Sequence, residues 1–169
     1  MEVPGRIQAI CIATFPGDDV VYERFYDLYA ESEKADIRAA MAETTKELDR
    51  RFSNEAVGSY RDGHIVAVPA DDFCFYALGT GEYNELILAE VLRAVIVALR
   101  EILHIKPLNE KALFGHYAQA ALIVDAMIKE GIPELLDIPS IVQALSFDFP
   151  TLKEAIKGGT TSDEAEETA

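Results

Sequence analysis

The sequence has no tryptophan, only two cysteines in 169 residues, and no apolar run of the roughly 18 residues that a membrane-crossing helix requires. Each scarcity excludes something. Cys11 and Cys74 each sit in an apolar, strand-like run, which suits small core residues in a reducing compartment and not a disulfide framework. The start, MEVPGRIQ, lacks a basic stretch followed by an apolar one, so a cytosolic protein without a signal peptide is expected. Basic residues are outnumbered as well: 15 Lys and Arg face 30 Asp and Glu, for a net charge of -15 and a pI near 4.5. Nucleic acid and anionic membranes are recognised by neutralising phosphate with Lys and Arg, so neither is an expected partner. Residues 158–169, GGTTSDEAEETA, hold four of the acids and no base, which leaves 26 acids to 15 bases elsewhere. Such a tail is expected to bury nothing.

Catalytic signatures are missing too. The chain has no HExxH, no Cys/His cluster of metal-ligand spacing, no GxSxG, no CxxC and no Asp-rich calcium loop. His64, His104 and His116 fall in unrelated elements, and adjacent acids such as Asp18-Asp19 and Asp71-Asp72 fall in turns. No catalytic, cofactor-binding or metal-ligating residue is expected, and the chain is read as a non-enzyme. One stretch argues otherwise at first sight. In FCFYALGTGEYNELILAEVL, residues 73–92, a buried-looking strand meets Gly79 and Gly81 and then a helix, which is the grammar of a phosphate-binding loop. A dinucleotide fingerprint, however, needs a third glycine where Asn84 stands, and a Walker loop needs Gly-Lys-Ser/Thr. The glycines are therefore read as permitting a sharp turn, with Asn84 and Glu85 at the helix start, where an acceptor and a negative charge help.

What is present is an ordered alternation of periods. Residues 6–15 and 20–29 are strand-like runs around Pro-Gly-Asp-Asp and read as a hairpin. Residues 31–52 turn helical, with Ile37, Met41, Thr44, Thr45 and Leu48 on one stripe. Residues 56–61 and 64–69 form a second hairpin, on a primed turn at Asp62-Gly63. A further strand, 73–78, is followed by two long helices at 83–104 and 109–130, the second capped by Asn109 in front and Gly131 behind. The first of these is apolar around most of its circumference and is expected to be buried. The order β-β-α-β-β-β-α-α has no βαβ alternation. It predicts an α+β domain, with a five-stranded, mainly antiparallel sheet covered by one helix on one face and two on the other.

Those residues carry a resemblance. FYALGTGEYNELILAEVLRAVIVALREIL and LNEKALFGHYAQAALIVDAMIKEGI, with the opening IQAICIATFPGDDVVYERFYD, are similar to the longin-like small subunits of vesicle coats: the coatomer zeta subunit most closely, and the adaptor small chains that share its fold. The shared features are Phe75-Tyr76 closing a strand, Asn84-Glu85-Leu86, the long apolar helix, Val124-Asp125 in the next helix, the Gly17-Asp18 turn, and Phe25-Tyr26 closing strand two. The similarity spans residues 6–142. It implies a longin-like coat-subunit domain over residues 1–146, followed by an acidic extension at 147–169.

The resemblance further implies a non-catalytic subunit gripped by a large helical-solenoid subunit like gamma-coatomer. The complex would be cytosolic and coatomer-like, recruited to Golgi or vesicle membranes by a small GTPase, with no cofactor. Adaptor small chains can help bind dileucine signals near the loop between the last two helices. Here that loop reads HIKPLNEK, with Pro107 where a polar residue would be wanted, so cargo binding is not expected. A longin module reused in another assembly, for GTPase binding, tethering or a ciliary complex, is the alternative. For a scaffold, the candidate contacts are apolar residues that the core does not need. Tyr22, Phe25, Tyr26 and Tyr29 cannot all face one core, because alternation puts Tyr22 and Tyr26 on one side of the strand and Phe25 on the other. Leu135, Leu136 and Ile138 lie in a stretch too apolar for a free tail and broken by Pro133 and Pro139.

Overall fold

Seven consecutive buried residues, Phe73–Gly79, mark the strand around which the rest assembles, since only a strand covered on both faces can be apolar throughout. The computed structural model describes residues 4–16, 18–48 and 55–148. Its elements are β1 (Ile7–Thr14), β2 (Val20–Phe25), α1 (Glu31–Thr44), β3 (Ala56–Tyr60), β4 (Gly63–Ala70), β5 (Phe73–Gly79), α2 (Glu85–Ile102), α3 (Glu110–Gly115), α4 (Tyr117–Met127), β6 (Ile128–Lys129), β7 (Ile132–Pro133) and α5 (Ile138–Asp148). The five long strands form one sheet in the order β2-β1-β5-β4-β3, every neighbour antiparallel.

Strand alternation sorts the core into two layers. Ala9, Cys11, Ala67, Cys74 and Tyr76 face α1 and meet Ile37 and Met41. Ile10, Ile12, Val66, Phe73 and Phe75 face the other way, against Leu88, Leu92 and Leu99 of α2 and Ile123 and Val124 of α4. This is the expected α+β, longin-like arrangement. The α1 side mixes small residues (Ala9, Cys11, Ala13, Ala67, Cys74) with Ile65, Tyr76 and Leu78, while the opposite face carries Phe73 and Phe75 under the helix group. Burial pushes the Cys11 thiol up to about 12, so it behaves as a small apolar core group.

Four local expectations are corrected. The first helix ends at Thr44, not near residue 52, because hydroxyls compete with its backbone: Thr44 Oγ1 donates to Ala40 O (2.8 Å) and Thr45 Oγ1 to Ala42 O (3.1 Å). Thr45 also shares a hydrogen bond with the Tyr76 hydroxyl (3.0 Å), which pins the helix end to the sheet; the rest of the expected helix, 49–52, lies outside the described residues. The strand expected over 20–29 stops at Phe25, leaving Tyr29 in the loop before α1. In the second hairpin the turn lies one residue earlier than expected, at Arg61 (φ 51°) and Asp62, and Gly63 pairs with Tyr60. A Cβ at Gly63 would stand 2.7 Å from Leu78 Cδ1, so the glycine makes room in the sheet instead of bending the chain.

The fourth correction concerns the last expected helix. It is broken at His116 (φ -126°, ψ 25°) into α3 and α4, and it ends at Met127. Gly131 is not its cap. Glu130 (φ 51°) and Gly131 (φ 81°) are the two turn residues between β6 and β7, a primed geometry. That turn lies on the start of β1: Ile7 N donates to Gly131 O (2.8 Å), and a Cβ on Gly131 would come within 2.2 Å of Ile7 O. Gly131→Ala is therefore expected to cost more than about 1 kcal/mol in urea unfolding, since both the positive φ and the contact forbid a side chain. Gly115→Ala, where a Cβ meets nothing within 4 Å, should leave the midpoint unchanged or slightly raised.

Candidate partner-binding surface

The strand-to-helix loop at Gly79–Gly81 has its own occupant. The chain's N-terminal segment lies across it: Gly5 N donates to Glu82 Oε2 (3.0 Å), Arg6 N to Thr80 Oγ1 (3.3 Å), and Thr80 N to Arg6 O (3.0 Å). A Cβ on Gly81 (φ 62°) would touch Gly5 Cα at 2.7 Å. The free N–H groups at the start of α2 are taken by Asn84, whose side chain accepts from Leu86 N (3.1 Å) and Ile87 N (3.2 Å). Glu85 adds a carboxylate held below the usual range by its own backbone N–H and then by His64, whose Nδ1 is 2.8 Å away. An anion would meet two glutamates, and the Leu86 and Ile87 donors at the helix start are already taken by Asn84. Among the described residues no group of three or more His, Cys, Asp and Glu could hold a metal ion.

A second corner is closed by Asp71, at the β4–β5 turn. Its Oδ2 accepts from Arg100 Nη2 (2.8 Å) and Nε (3.2 Å) on α2 and from Leu108 N (2.8 Å) just past Pro107. The carboxylate that looked like a stray turn acid thus ties the sheet to the inter-helix loop. His104 is exposed just past the end of α2, with φ 55°, and His116 sits in the break between α3 and α4.

The aromatics of the β2 region divide as alternation requires. Tyr22 is 8% exposed and meets Tyr117 edge-on, with ring centroids 6.1 Å apart. Tyr26, half-buried, packs on the same layer with the Arg24 guanidinium 5.8 Å from its ring centre. Phe25 and Tyr29 lie on the α1 side, edge-to-face at 5.9 Å, with Lys34 and Arg38 over the Phe25 ring. Arg38 is anchored there by a two-point contact with Glu23 (2.6 and 2.8 Å). All four aromatics therefore have intramolecular neighbours. Of the later candidates, Leu135 packs on the main core, Ile138 is half-buried at the start of α5, and Leu136 is 43% exposed.

The most exposed apolar side chain at this end was not singled out from the sequence. Leu28 is 99% exposed in the loop after β2. Its only signal was a lone leucine between Asp27 and Tyr29, and nothing in so short a loop distinguishes a buried leucine from a bare one. Leu28 borders a groove of about 280 Å³ lined also by Phe25, Tyr26 and Asp27. Through Arg6, Arg24 and Glu130 the groove continues into one of about 890 Å³ that runs past Asp125 and Ile128 to the β6–β7 turn, where Ile132 is 42% exposed. β2 is the edge of the sheet here. Tyr26 N donates inward to Gln8 O, so alternation turns the N–H and C=O groups of Glu23 and Phe25 outward. The surface thus combines an open strand edge, a groove and a bare leucine.

Comparison with known proteins adds the fold alone. No family model and no curated protein sequence matches the chain. Among known structures, one chain of a homology model of the full-length AP-3 complex in a stretched open conformation superposes with a TM-score of 0.64 at 13% identity, covering 92% of this chain and 98% of that one.

Two residues of this surface yield testable outcomes. The Tyr26 hydroxyl is buried without a hydrogen-bond partner among the described residues, and burial pushes its pKa upward. Tyr26→Phe is accordingly expected to be neutral or to raise stability by up to about 1 kcal/mol, read by chemical denaturation. The Leu28 N–H and then Arg6 hold the Asp27 carboxyl below its ordinary value. Its contribution is complete above the usual carboxylate range near pH 4 and disappears as pH falls through the lowered pKa. Asp27→Asn should shrink the stability lost between neutral and strongly acidic pH, and Arg6→Gln should do the same in part.

Proposed function

We propose that the chain is a non-catalytic small subunit of a vesicle-coat complex, held by a large helical-solenoid subunit across the β2 edge and the β6–β7 turn. The observation that carries this is the distribution of cover. Both faces of the sheet are buried under the chain's own helices, and the barest apolar side chain, Leu28, stands at the β2 edge beside an open groove. An edge strand with outward N–H and C=O groups beside a bare leucine is a place for another chain. Among the candidates read from the sequence, Leu136 and Ile138 stand a few residues beyond Ile132 and Glu134, which line the larger groove. Tyr22, Phe25, Tyr26 and Tyr29 support the surface from beneath, as a rigid base for the edge.

The neighbour in the AP-3 complex supports assembly as the role, because nearly the whole length of that chain is used in this shape within a multi-subunit particle. The resemblance of residues 6–142 to zeta chains supports the finer reading: a coatomer-like particle in protein transport, recruited to Golgi or vesicle membranes through a small GTPase that acts on the complex and not on this chain. Among the described residues no helix is long and apolar enough to cross a membrane, so on this reading membrane contact passes through the partners.

Gentle affinity purification of the tagged full-length chain, with identification and quantification of the co-eluting proteins, tests the proposal. The expected result is a large α-solenoid protein near one-to-one stoichiometry. Recovery of the free chain alone from its native cells would overturn it. With the partner in hand, Leu28→Asp is expected to weaken the complex at least tenfold while leaving the unfolding midpoint unchanged, because a fully exposed side chain contributes nothing to the isolated fold.

A further inference from the structure

The sheet has a second edge. β3 lies at the opposite end from β2, and Ala56–Tyr60 read AVGSY, with no charge, no proline and an unbroken register against β4 from Ala56↔Ala67 to Tyr60↔Gly63. Edge strands are ordinarily kept from pairing by charged side chains, by proline or by a bulge, and this one carries none of the three. The two-residue turn at Arg61 and Asp62 makes Tyr60 and Gly63 a hydrogen-bonded pair. Alternation then turns the backbone groups of Gly58 and Ala56 inward and leaves the N–H and C=O groups of Val57 and Ser59 facing outward. Those groups have no hydrogen-bond partner among the described residues, and the Val57 side chain beside them is 59% exposed.

We propose that β3 pairs antiparallel with β3 of a second copy of this chain, joining the two sheets edge to edge. The strand is complementary to itself about Gly58. In the register that sets Gly58 opposite its own counterpart, Val57 of each copy lies opposite Ser59 of the other, and both pairs exchange N–H···O bonds, so every outward group finds a partner. The pair on the two-fold axis is then the closely spaced, non-hydrogen-bonded kind, and glycine brings no side chain to it. Charges at the two ends of the strand decide the occupant. Glu55 precedes β3 and Arg61 follows it, and the same register carries each Arg61 to the Glu55 of the other copy. Within one copy Glu55 pairs with Arg93 and Arg61 with Glu33, all at the surface, so pairing links two exposed ion pairs into one network at each end. A neutral strand from another protein would satisfy the backbone and leave both ends unmatched. The net charge of -15 on each copy opposes association at long range, but that repulsion is screened beyond about 8 Å at physiological ionic strength. One short strand covers less than the roughly 1,600 Å² of a standard interface, so the dimer is weak and forms at high protein concentration. The β2 edge stays free at the other end of the sheet, and the inference is independent of the proposed coat function.

Sedimentation of the full-length chain over a range of concentrations, with amide exchange followed residue by residue by NMR, tests it. Dimer should accumulate as concentration rises, and the Val57 and Ser59 amides should slow in step while those of Glu23 and Phe25 on β2 stay unchanged. Val57→Lys, which alters an exposed side chain, should weaken the dimer at least tenfold and leave the unfolding midpoint in place. Glu55→Arg and Arg61→Glu should each weaken it about tenfold, because either change turns two opposite-charge contacts into two like-charge ones. An equimolar mixture of those two variants should recover the association as a heterodimer, since each Arg then meets a Glu again. A chain that stays monomeric at millimolar concentration would overturn the proposal. So would a dimer that ignores both charge reversals, or a mixture that fails to recover. Protection of Val57 and Ser59 that arises only when another protein is added would overturn it equally and assign the edge to that partner.

Discussion

The antiparallel pairing of β1 with β5 is the constraint that dictates the other contacts. Cys11 lies opposite Tyr76 and Ile12 opposite Phe75, and both strands are buried on both faces. A slip of one residue would turn Phe75 and Ile12 toward α1 and send Cys74 and Tyr76 to the helix group. Neither side could absorb it. The α1 side sets alanines and cysteines around Tyr76, Ile65 and Leu78 under a helix that buries only Ile37 and Met41, whereas the opposite side seats phenylalanines among leucines. Register and the sorting of side chains between the two helical layers are therefore one decision.

The N-terminal residues show how a short segment can lock several elements at once. Gly5 and Arg6 bond to the Thr80–Glu82 loop, Ile7 bonds to the β6–β7 turn, and Arg6 pairs with Asp27 at 2.8 Å beyond the end of β2. Three distant stretches of chain meet on backbone approaches so close that glycines occupy positions 5, 81 and 131. Asp71 performs the corresponding task at the opposite end of the sheet through Arg100 and the Leu108 N–H. Together these ties hold the helix group against a sheet that α1 alone would not keep closed.

The architecture was legible in the sequence because it rests on periodicity: a strand with no polar position, a helix with a narrow polar stripe, and a pair of hairpins. What was not legible turns on contacts between residues far apart. Gly131 reads as a helix cap until Ile7 is known to lie against it, and Gly63 reads as a turn residue until Leu78 is found beneath it. Thr44 and Thr45 end α1 through hydroxyl bonds that a helical wheel does not display, and one of these reaches Tyr76. The candidate surface was legible only in part. Alternation sorted Tyr22 and Tyr26 from Phe25, but how much of each ring the helices cover depends on where Tyr117, Lys34 and Arg38 come to rest. Leu28, the barest apolar residue of the groove, carries no periodic signal.

The same strand-turn-helix grammar that cradles phosphate in other proteins here serves closure, and the difference lies in who supplies the oxygen. A nucleotide site leaves the N–H groups at the helix start free and the surroundings positive. In this chain Asn84 takes those donors and Glu82 and Glu85 make the surroundings negative, while Gly81 admits the backbone of Gly5. The loop has been spent on holding the N-terminus against the sheet. With Asp71 likewise engaged in structure, two of the positions where an α+β domain commonly places chemistry are filled by the chain itself. On the proposed reading the open β2 edge, with its groove and Leu28, is the surface through which the molecule acts, and an edge of that kind suits another polypeptide better than a small substrate.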